Sequence, residues 1–375
     1  MADPRHEKLA QVLVRYSLGL EPGDKLAVAT QLGGVPLARE VYRQALRAGA
    51  HPVARVSLAA SLSPLGAFDS LGEVRLREGS DEQVGFIDLD LQEMERYDAM
   101  LLVWADENTM GLSSIDPSRI AAAERMRAPV MARMMERAAA GDLRWCGTVF
   151  PTQAHAQDAG MALDAYEDFV FGAGLLDRDD PAAAWREVGV ELARVAAFLG
   201  AHDEIRIEAP GTDLTYRVGG RTWIAAAGTN NFPDGEVFTG PVEGSANGTV
   251  RFTYPAIYAG NEVEDVRLAF RDGRVVEASA ARGQAFLEAM LDQDPGARFL
   301  GEAAFGMNYG IGRFTRNILF DEKIGGTMHL ALGQSYPETG GTNESGLHWD
   351  MICDLRQGRV YADGEPCYAE GKFTI

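Results

Sequence analysis

Cysteine is scarce in this sequence. Cys146, Cys353 and Cys367 are the only three in 375 residues, widely spaced and without a CxxC. A disulfide framework and a zinc–thiolate site are thereby excluded, and a reducing compartment, the cytoplasm, is expected. Positive charge is also short: Lys and Arg total 35 against 55 Asp and Glu, a formal net charge of −20. Such a chain offers no cationic footprint for nucleic acid or an anionic membrane surface. No apolar run approaches membrane-spanning length, and residues 1–11 lack the hydrophobic stretch of a secretion signal. Nucleotide fingerprints are missing too, since Gly33-Gly34 has neither GxGxxG spacing nor a P-loop lysine.

What is present is ordinary globular material, 46% apolar and 24% charged, long enough for two cores. Apolar spacing over residues 7–18 predicts a helix. Residues 25–30 read as a buried strand, 36–48 as a helix opened by Pro36, and 51–58 as a second strand, which together form a βαβ unit. The pattern recurs with a strand at 100–105, a helix from the Asp116-Pro117 cap to about 140 with a break at Pro129, and a strand at 144–150. Residues 152–199 read as mainly helical, ending in a helix over 182–199 with Trp185, Val188, Leu192, Val195 and Phe198 on one stripe. After His202 the pattern alternates in short runs separated by Asn, Gly and Asp turns, with one helix at 284–291. The expected architecture is an α/β domain over residues 1–200, with a parallel sheet and helices on both faces, followed by a β-rich α+β domain over 201–375.

Chemistry concentrates in residues 328–350. His348 and Asp350 flank Trp349; on a strand, residues two apart share a face, so the imidazole and carboxylate converge while the indole packs behind. That is half of a divalent-metal site. His329 lies upstream in the apolar run Met328-His329-Leu330-Ala331-Leu332. Alone, either histidine reads more simply as a satisfied core residue. Three acidic residues change the balance, because Glu236, Glu302 and Glu322 each sit in apolar or glycine-rich surroundings, where a carboxylate is rarely placed without a partner or a metal. Six such groups exceed the needs of one tetrahedral ion, whereas a dinuclear site with a bridging carboxylate uses them naturally.

The chain resembles the M29 metallo-aminopeptidases. The resemblance rests on Gly235-Glu236-Val237-Phe238-Thr239, on Tyr258-Ala259-Gly260-Asn261 through Phe270-Arg271-Asp272-Gly273, and on Leu300-Gly301-Glu302. It continues in Leu319-Phe320-Asp321-Glu322, in His329-Leu330-Ala331-Leu332-Gly333 with Ser335-Tyr336-Pro337, and in His348-x-Asp350. These motifs span most of the C-terminal half, in order. The resemblance implies a metal site of Glu236, Glu302, Glu322, His329, His348 and Asp350, with Glu302 bridging and Tyr336 beside the ions. Residues 323–328 differ in length from the better-known members, which leaves Asp321 open as an alternative to Glu322.

The chemistry implied is hydrolysis of the N-terminal peptide bond of short peptides. Water is activated between two divalent ions (zinc, cobalt or manganese), Glu302 or Glu236 moves protons, and Tyr336 donates to the oxyanion. A homodimer is implied as well. The competing expectation is a mononuclear iron dioxygenase, for which His329, His348 and Asp350 would form a facial triad. Ring-cleaving dioxygenases of pyridine diols resemble M29 proteins in fold, but a facial triad has no use for the three glutamates.

Overall fold

A computed structural model describes residues 3–58 and 71–375. It divides into two compact units, Met1–Ala184 with Gly228–Pro233, and Trp185–Ala227 with Asp234–Ile375. In the first, α1 (Pro4–Val12) is capped by the Asp3 side chain, which accepts from the Arg5 amide, and runs into a π-helical turn at Leu13–Ser17. The predicted βαβ unit follows as β1 (Lys25–Gln31), α2 (Val35–Arg47) and β2 (His51–Ser57). Three short helices, α3 (Gly72–Glu78), α4 (Asp81–Val84) and α5 (Asp88–Met94), lead to β3 (Ala99–Trp104). Then come α6 (Pro117–Ala139), β4 (Arg144–Val149), α7 (Gln153–Asp158) and α8 (Leu163–Ala173), followed by α9 (Pro181–Leu199), which from Trp185 onward belongs to the second unit.

The strands lie in the order β2-β1-β3-β4, all parallel. Ala27 and Ala29 of β1 share a core with Met100 and Leu102 of β3, Met94 of α5, and Val130 and Met134 of α6. This packing explains one departure from expectation. Pro129 does not interrupt α6, which continues through it. A proline inside a helix costs ~3 kcal/mol, but burying a Val and a Met side chain returns about 1.5–3 kcal/mol each, and both lie just beyond it.

The second unit is β-rich. Its strands begin with β5 (Glu204–Ala209), β6 (Thr212–Arg217) and β7 (Ile224–Ala226). The chain then contributes β8 (Asn231–Phe232) to the first unit, parallel to β4, before β9 (Glu236–Thr239). There follow β10 (Asn247–Arg251), the hairpin β11 (Ala256–Tyr258) and β12 (Asn261–Val263), β13 (Arg267–Arg271), β14 (Arg274–Ser279) and α10 (Gln284–Leu291). The last elements are β15 (Leu300–Gly306), α11 (Ile318–Asp321), β16 (Thr327–Gly333), β17 (His348–Asp354), β18 (Arg359–Ala362), β19 (Glu365–Ala369) and β20 (Lys372–Phe373). One sheet runs β14-β13-β10-β6-β5-β18-β19-β20 and another β17-β16-β15-β9-β7, antiparallel throughout. One core joins them. Ile205, Ile207, Leu214, Val250 and Leu268 of the larger sheet cluster with Val237, Phe305, Leu330, Leu332, Trp349 and Met351 of the smaller, and with Leu192, Val195 and Leu199 of α9. Leu192 and Val195 belong to the stripe anticipated for that helix.

Candidate metal centre

The smaller sheet has two chemically different faces. Cross-strand partners in an antiparallel ladder point the same way, and the register sets His329 opposite Ala304 and Ile352, Ala331 opposite Asp350, and Gly306 opposite Glu236. Trp349, Met351, Leu330, Phe305 and Val237 take the opposite face and enter the core. Glu236, His329, His348 and Asp350 therefore share the other face. Trp349 packs behind the His348/Asp350 pair, as the alternation predicts.

Glu302 joins them through a bulge. Leu300 pairs with Leu332 but Glu302 pairs with Ala331, so two steps along β15 match one along β16. Leu300 and Leu332 lie in the core. Without the bulge Glu302, two residues on from Leu300, would face the core as well. Gly301 makes the bulge feasible, because a Cβ there would lie 2.2 Å from the Gln334 carbonyl oxygen and 2.5 Å from that of Gly333. Gly235, at the entry to β9, has φ +118°, and a Cβ there would meet Asn308 Cβ at 2.9 Å. Glycine is needed at both positions for steric reasons.

The side chains converge closely. Glu302 directs one oxygen to each histidine, Oε1 lying 3.4 Å from His329 Nε2 and Oε2 3.3 Å from His348 Nε2. Glu236 Oε2 is 3.5 Å from His329 Nε2, and Asp350 Oδ2 is 3.6 Å from His348 Nε2. Two triads, Glu302/His348/Asp350 and Glu322/His329/Asp350, each have ligand atoms within 4.8 Å of one another. Asp350 belongs to both. Asp321 is tied elsewhere, its Oδ1 accepting from the Thr315 amide and hydroxyl. Between the two candidates left open by the sequence, Glu322 is the one that faces the cluster.

Each histidine is oriented from behind. Nδ1 of His329 donates to the Glu322 carbonyl at 2.9 Å and Nδ1 of His348 to the Gln334 carbonyl at 2.8 Å. This anchoring leaves Nε2 as the atom directed at the carboxylates, an arrangement typical of metal-binding imidazoles. Tyr336 stands edge-on to His348 and Phe238, with its hydroxyl 3.5 Å from His348 Nε2 and part of the ring accessible.

The electrostatics follow from burial and from these contacts. Burial pushes the Glu236 carboxyl well up, against the pull of Lys323 and His329. Burial likewise raises Asp350 to about 6. Burial acts against the charged form of both rings, but Glu302, Glu236 and Asp350 outweigh it and hold His329 and His348 up at about 10. The same ion pairs overcome burial at Glu302 and pull it down to about 2. Burial, reinforced by Glu302 and Asp350, raises the Tyr336 phenol, which stays protonated.

Glu236 Oε2 and Asp350 Oδ1 are buried with no hydrogen-bond partner. Removing a carboxylate from water costs several kcal/mol, a large share of the about 5–15 kcal/mol that stabilises a whole domain. Binding of a structural zinc ion returns about 10–16 kcal/mol. Orphaned carboxylate oxygens beside two anchored imidazoles fit divalent ions that accept N and O donors.

Two residues at this site escaped sequence reasoning. Lys323 is fully buried, in ion-pair contact with Glu322, 3.5 Å from Glu236 Oε1 and 3.9 Å from Asp234 Oδ1. Burial pushes its ammonium down, but the three carboxylates outweigh that and raise it above the ordinary lysine value. Asp234 is buried as well. A lysine after Asp321-Glu322 reads as a surface ion pair; the signal against that reading was the apolar, glycine-rich run Ile324-Gly325-Gly326 that follows.

Comparison with known proteins places the whole chain among aminopeptidases. Aminopeptidase 2 of Geobacillus stearothermophilus is 32% identical, over 98% of this chain and 97% of its own. Aminopeptidase T of Thermus thermophilus is 27% identical, over 98% of each chain. The solved structure of wild-type AmpT from Thermus thermophilus superposes with a TM-score of 0.84 at 26% identity, covering 99% of each chain. A 2,5-dihydroxypyridine dioxygenase from Pseudomonas putida KT2440 shares the fold more loosely, with a TM-score of 0.58 at 12% identity over 99% of this chain and 97% of that one. The family profile described as thermophilic metalloprotease (M29) matches residues 2–373. The chain belongs to the M29 metalloproteases and is a peptide-bond hydrolase.

Proposed function

We propose that this protein is an aminopeptidase that removes N-terminal residues from short peptides with the help of two divalent ions: zinc, cobalt or manganese. The observation that carries this reading is the pair of triads, Glu302/His348/Asp350 and Glu322/His329/Asp350, joined by Asp350 and spanned by the two oxygens of Glu302. Glu236, Glu302, Glu322, His329, His348 and Asp350 would hold the ions, with Glu302 as bridge. Bound there, divalent ions supply Lewis acidity and lower the pKa of water toward neutrality.

The protein's own groups do the rest. The carboxylates favour the ammonium of a peptide N-terminus, which selects exopeptidase action. The protonated Tyr336 phenol donates to the carbonyl oxygen as negative charge develops on it. Glu302 or Glu236 accepts the proton of the attacking water and returns it to the leaving amine. A homodimer, on the strength of the family resemblance, and a cytoplasmic location, on the scarcity of cysteine, complete the reading.

Metal content per chain, measured with hydrolysis of aminoacyl-p-nitroanilides, tests this directly. Close to two zinc, cobalt or manganese ions with aminoacyl turnover is the expected result. One iron per chain, with oxygen consumption on a dihydroxypyridine and no aminoacyl turnover, would replace the reading with the dioxygenase one. Light scattering that gives a monomer at micromolar concentration would remove the dimer.

A further inference from the structure

Lys323 is the buried lysine at the centre, and the peptidase chemistry leaves it without a task. It is wholly buried, and the carboxylates within its reach, Asp234, Glu236 and Glu322, all lie on one side of the cluster. The Glu302/His348/Asp350 triad is outside that reach, as no ion pair joins Lys323 to it among the described residues. The two halves of the centre thus differ. One is served by imidazoles alone, the other already contains a fixed cation.

The contacts divide by atom as well as by residue. Glu236 turns Oε1 toward the ammonium and Oε2 toward His329 Nε2, and that Oε2 is the oxygen left without a hydrogen bond. Lys323 therefore engages Glu236 without covering the oxygen aimed at the ligand cluster. It also follows Glu322 directly in the chain, and Glu322 Oε1 is its closest contact. Counted as charges, the carboxylates of Asp234, Glu236, Glu302, Glu322 and Asp350 balance one ammonium and two divalent ions when both imidazoles are neutral.

We propose that Lys323 is a resident counter-cation for the Glu236/Glu322 half of the centre. It holds that half together while no metal is bound, and it makes the Glu302/His348/Asp350 half load first. The inference rests on the two-metal reading above and adds an order to it. A fixed positive charge a few ångströms from an incoming ion weakens binding there, while the same charge offsets the mutual repulsion of bare carboxylates. Lys323 is in this sense a positioning residue.

The test compares wild type with Lys323→Met as full-length chains, stripped by chelation and titrated with Co²⁺, reading calorimetric stoichiometry, Co²⁺ absorbance and thermal midpoints of the stripped and loaded forms. Wild type should bind in two steps, the second at least about tenfold weaker. In Lys323→Met the second step should tighten by about tenfold or more and merge with the first. The midpoint of the stripped variant should fall by several degrees, and that of the loaded variant by less than half as much.

Equal falls in both forms, or a second step that weakens or keeps its wild-type strength, would overturn the assignment. Should Lys323→Met not fold, Lys323→Met/Asp234→Asn withdraws one buried carboxylate with the ammonium. Tightening of its second step supports the proposal, and a second step at wild-type strength or weaker rejects it. If wild type takes up no Co²⁺ at all, the two-metal reading itself falls. If wild type binds two ions and only the variants fail to differ, that reading stands and the lysine assignment alone is lost.

Discussion

At His329 and His348 a metal ion and a proton compete for the same nitrogen. Each ring is anchored through Nδ1 and surrounded at Nε2 by carboxylates, which hold both imidazoles protonated up to about pH 10 when no metal is bound. Metal uptake near neutral pH must release those protons. Affinity should rise with pH, by up to about tenfold per unit for each proton displaced, and calorimetry in buffers of different ionisation enthalpy should count them. The stripped protein behaves oppositely. A ring whose folded pKa lies above its unfolded value of about 6.5 contributes stability that is complete below pH ~6.5 and is lost toward pH 10. The stripped midpoint should therefore decline over that window while the loaded one does not; parallel profiles would contradict the pairing of these rings with Glu302 and Asp350. Glu302→Gln should lower turnover by on the order of 10²–10⁴-fold and reduce the metal count more than Glu322→Gln, because a bridging charge serves two cations. A Glu302→Gln protein with both ions and most of its activity would refute the bridge. The residues converging here were legible because HxD and isolated glutamates in apolar runs are costly to bury without purpose. Lys323 was not, since a lysine after Asp321-Glu322 reads as a surface ion pair and only the run Ile324-Gly325-Gly326 speaks against that.

At the level of elements, the site depends on one irregularity. The strands themselves were readable: β1 to β4 and β16 as short apolar runs, β17 from its alternation, and α10 with both of its ends. The bulge between Leu300 and Glu302 was not, because a bulge is a relation between two strands and leaves in one sequence only a glycine. Its steric margin is small. Gly301→Ala would place a methyl group on the carbonyls of Gly333 and Gln334, with a cost of about 1–3 kcal/mol for overpacking. It would also move Glu302 off both histidines. The variant should lose most of its activity and metal, whereas Gly312→Ala, where a Cβ meets nothing within 4 Å, should be neutral. Chemical denaturation and metal analysis of the two variants check this, and a fully active Gly301→Ala would show that the bulge does not aim the bridge.

For the whole molecule, apolar periodicity and turn residues announced an α/β half followed by a β-rich half, and the two sheet types follow that order. The return of residues 228–233 to the first unit was not legible. β8 is two residues long, among turn residues, and its partner β4 lies some eighty positions earlier in the sequence. A chain ending at Ala184 would lack this strand and leave one side of β4 unpaired, the kind of edge that invites association. Such a fragment should be aggregated or partly unfolded by size exclusion and circular dichroism; a soluble native-like monomer would show β8 to be dispensable. In the growing polypeptide this arrangement sets a schedule. The first sheet cannot close when its own four main strands have left the ribosome, but must wait with an open edge until residues 185–227 have been made and β8 emerges. A chaperone that shields β4 during that interval would compete with β8 for the edge at Gly147 and Thr148.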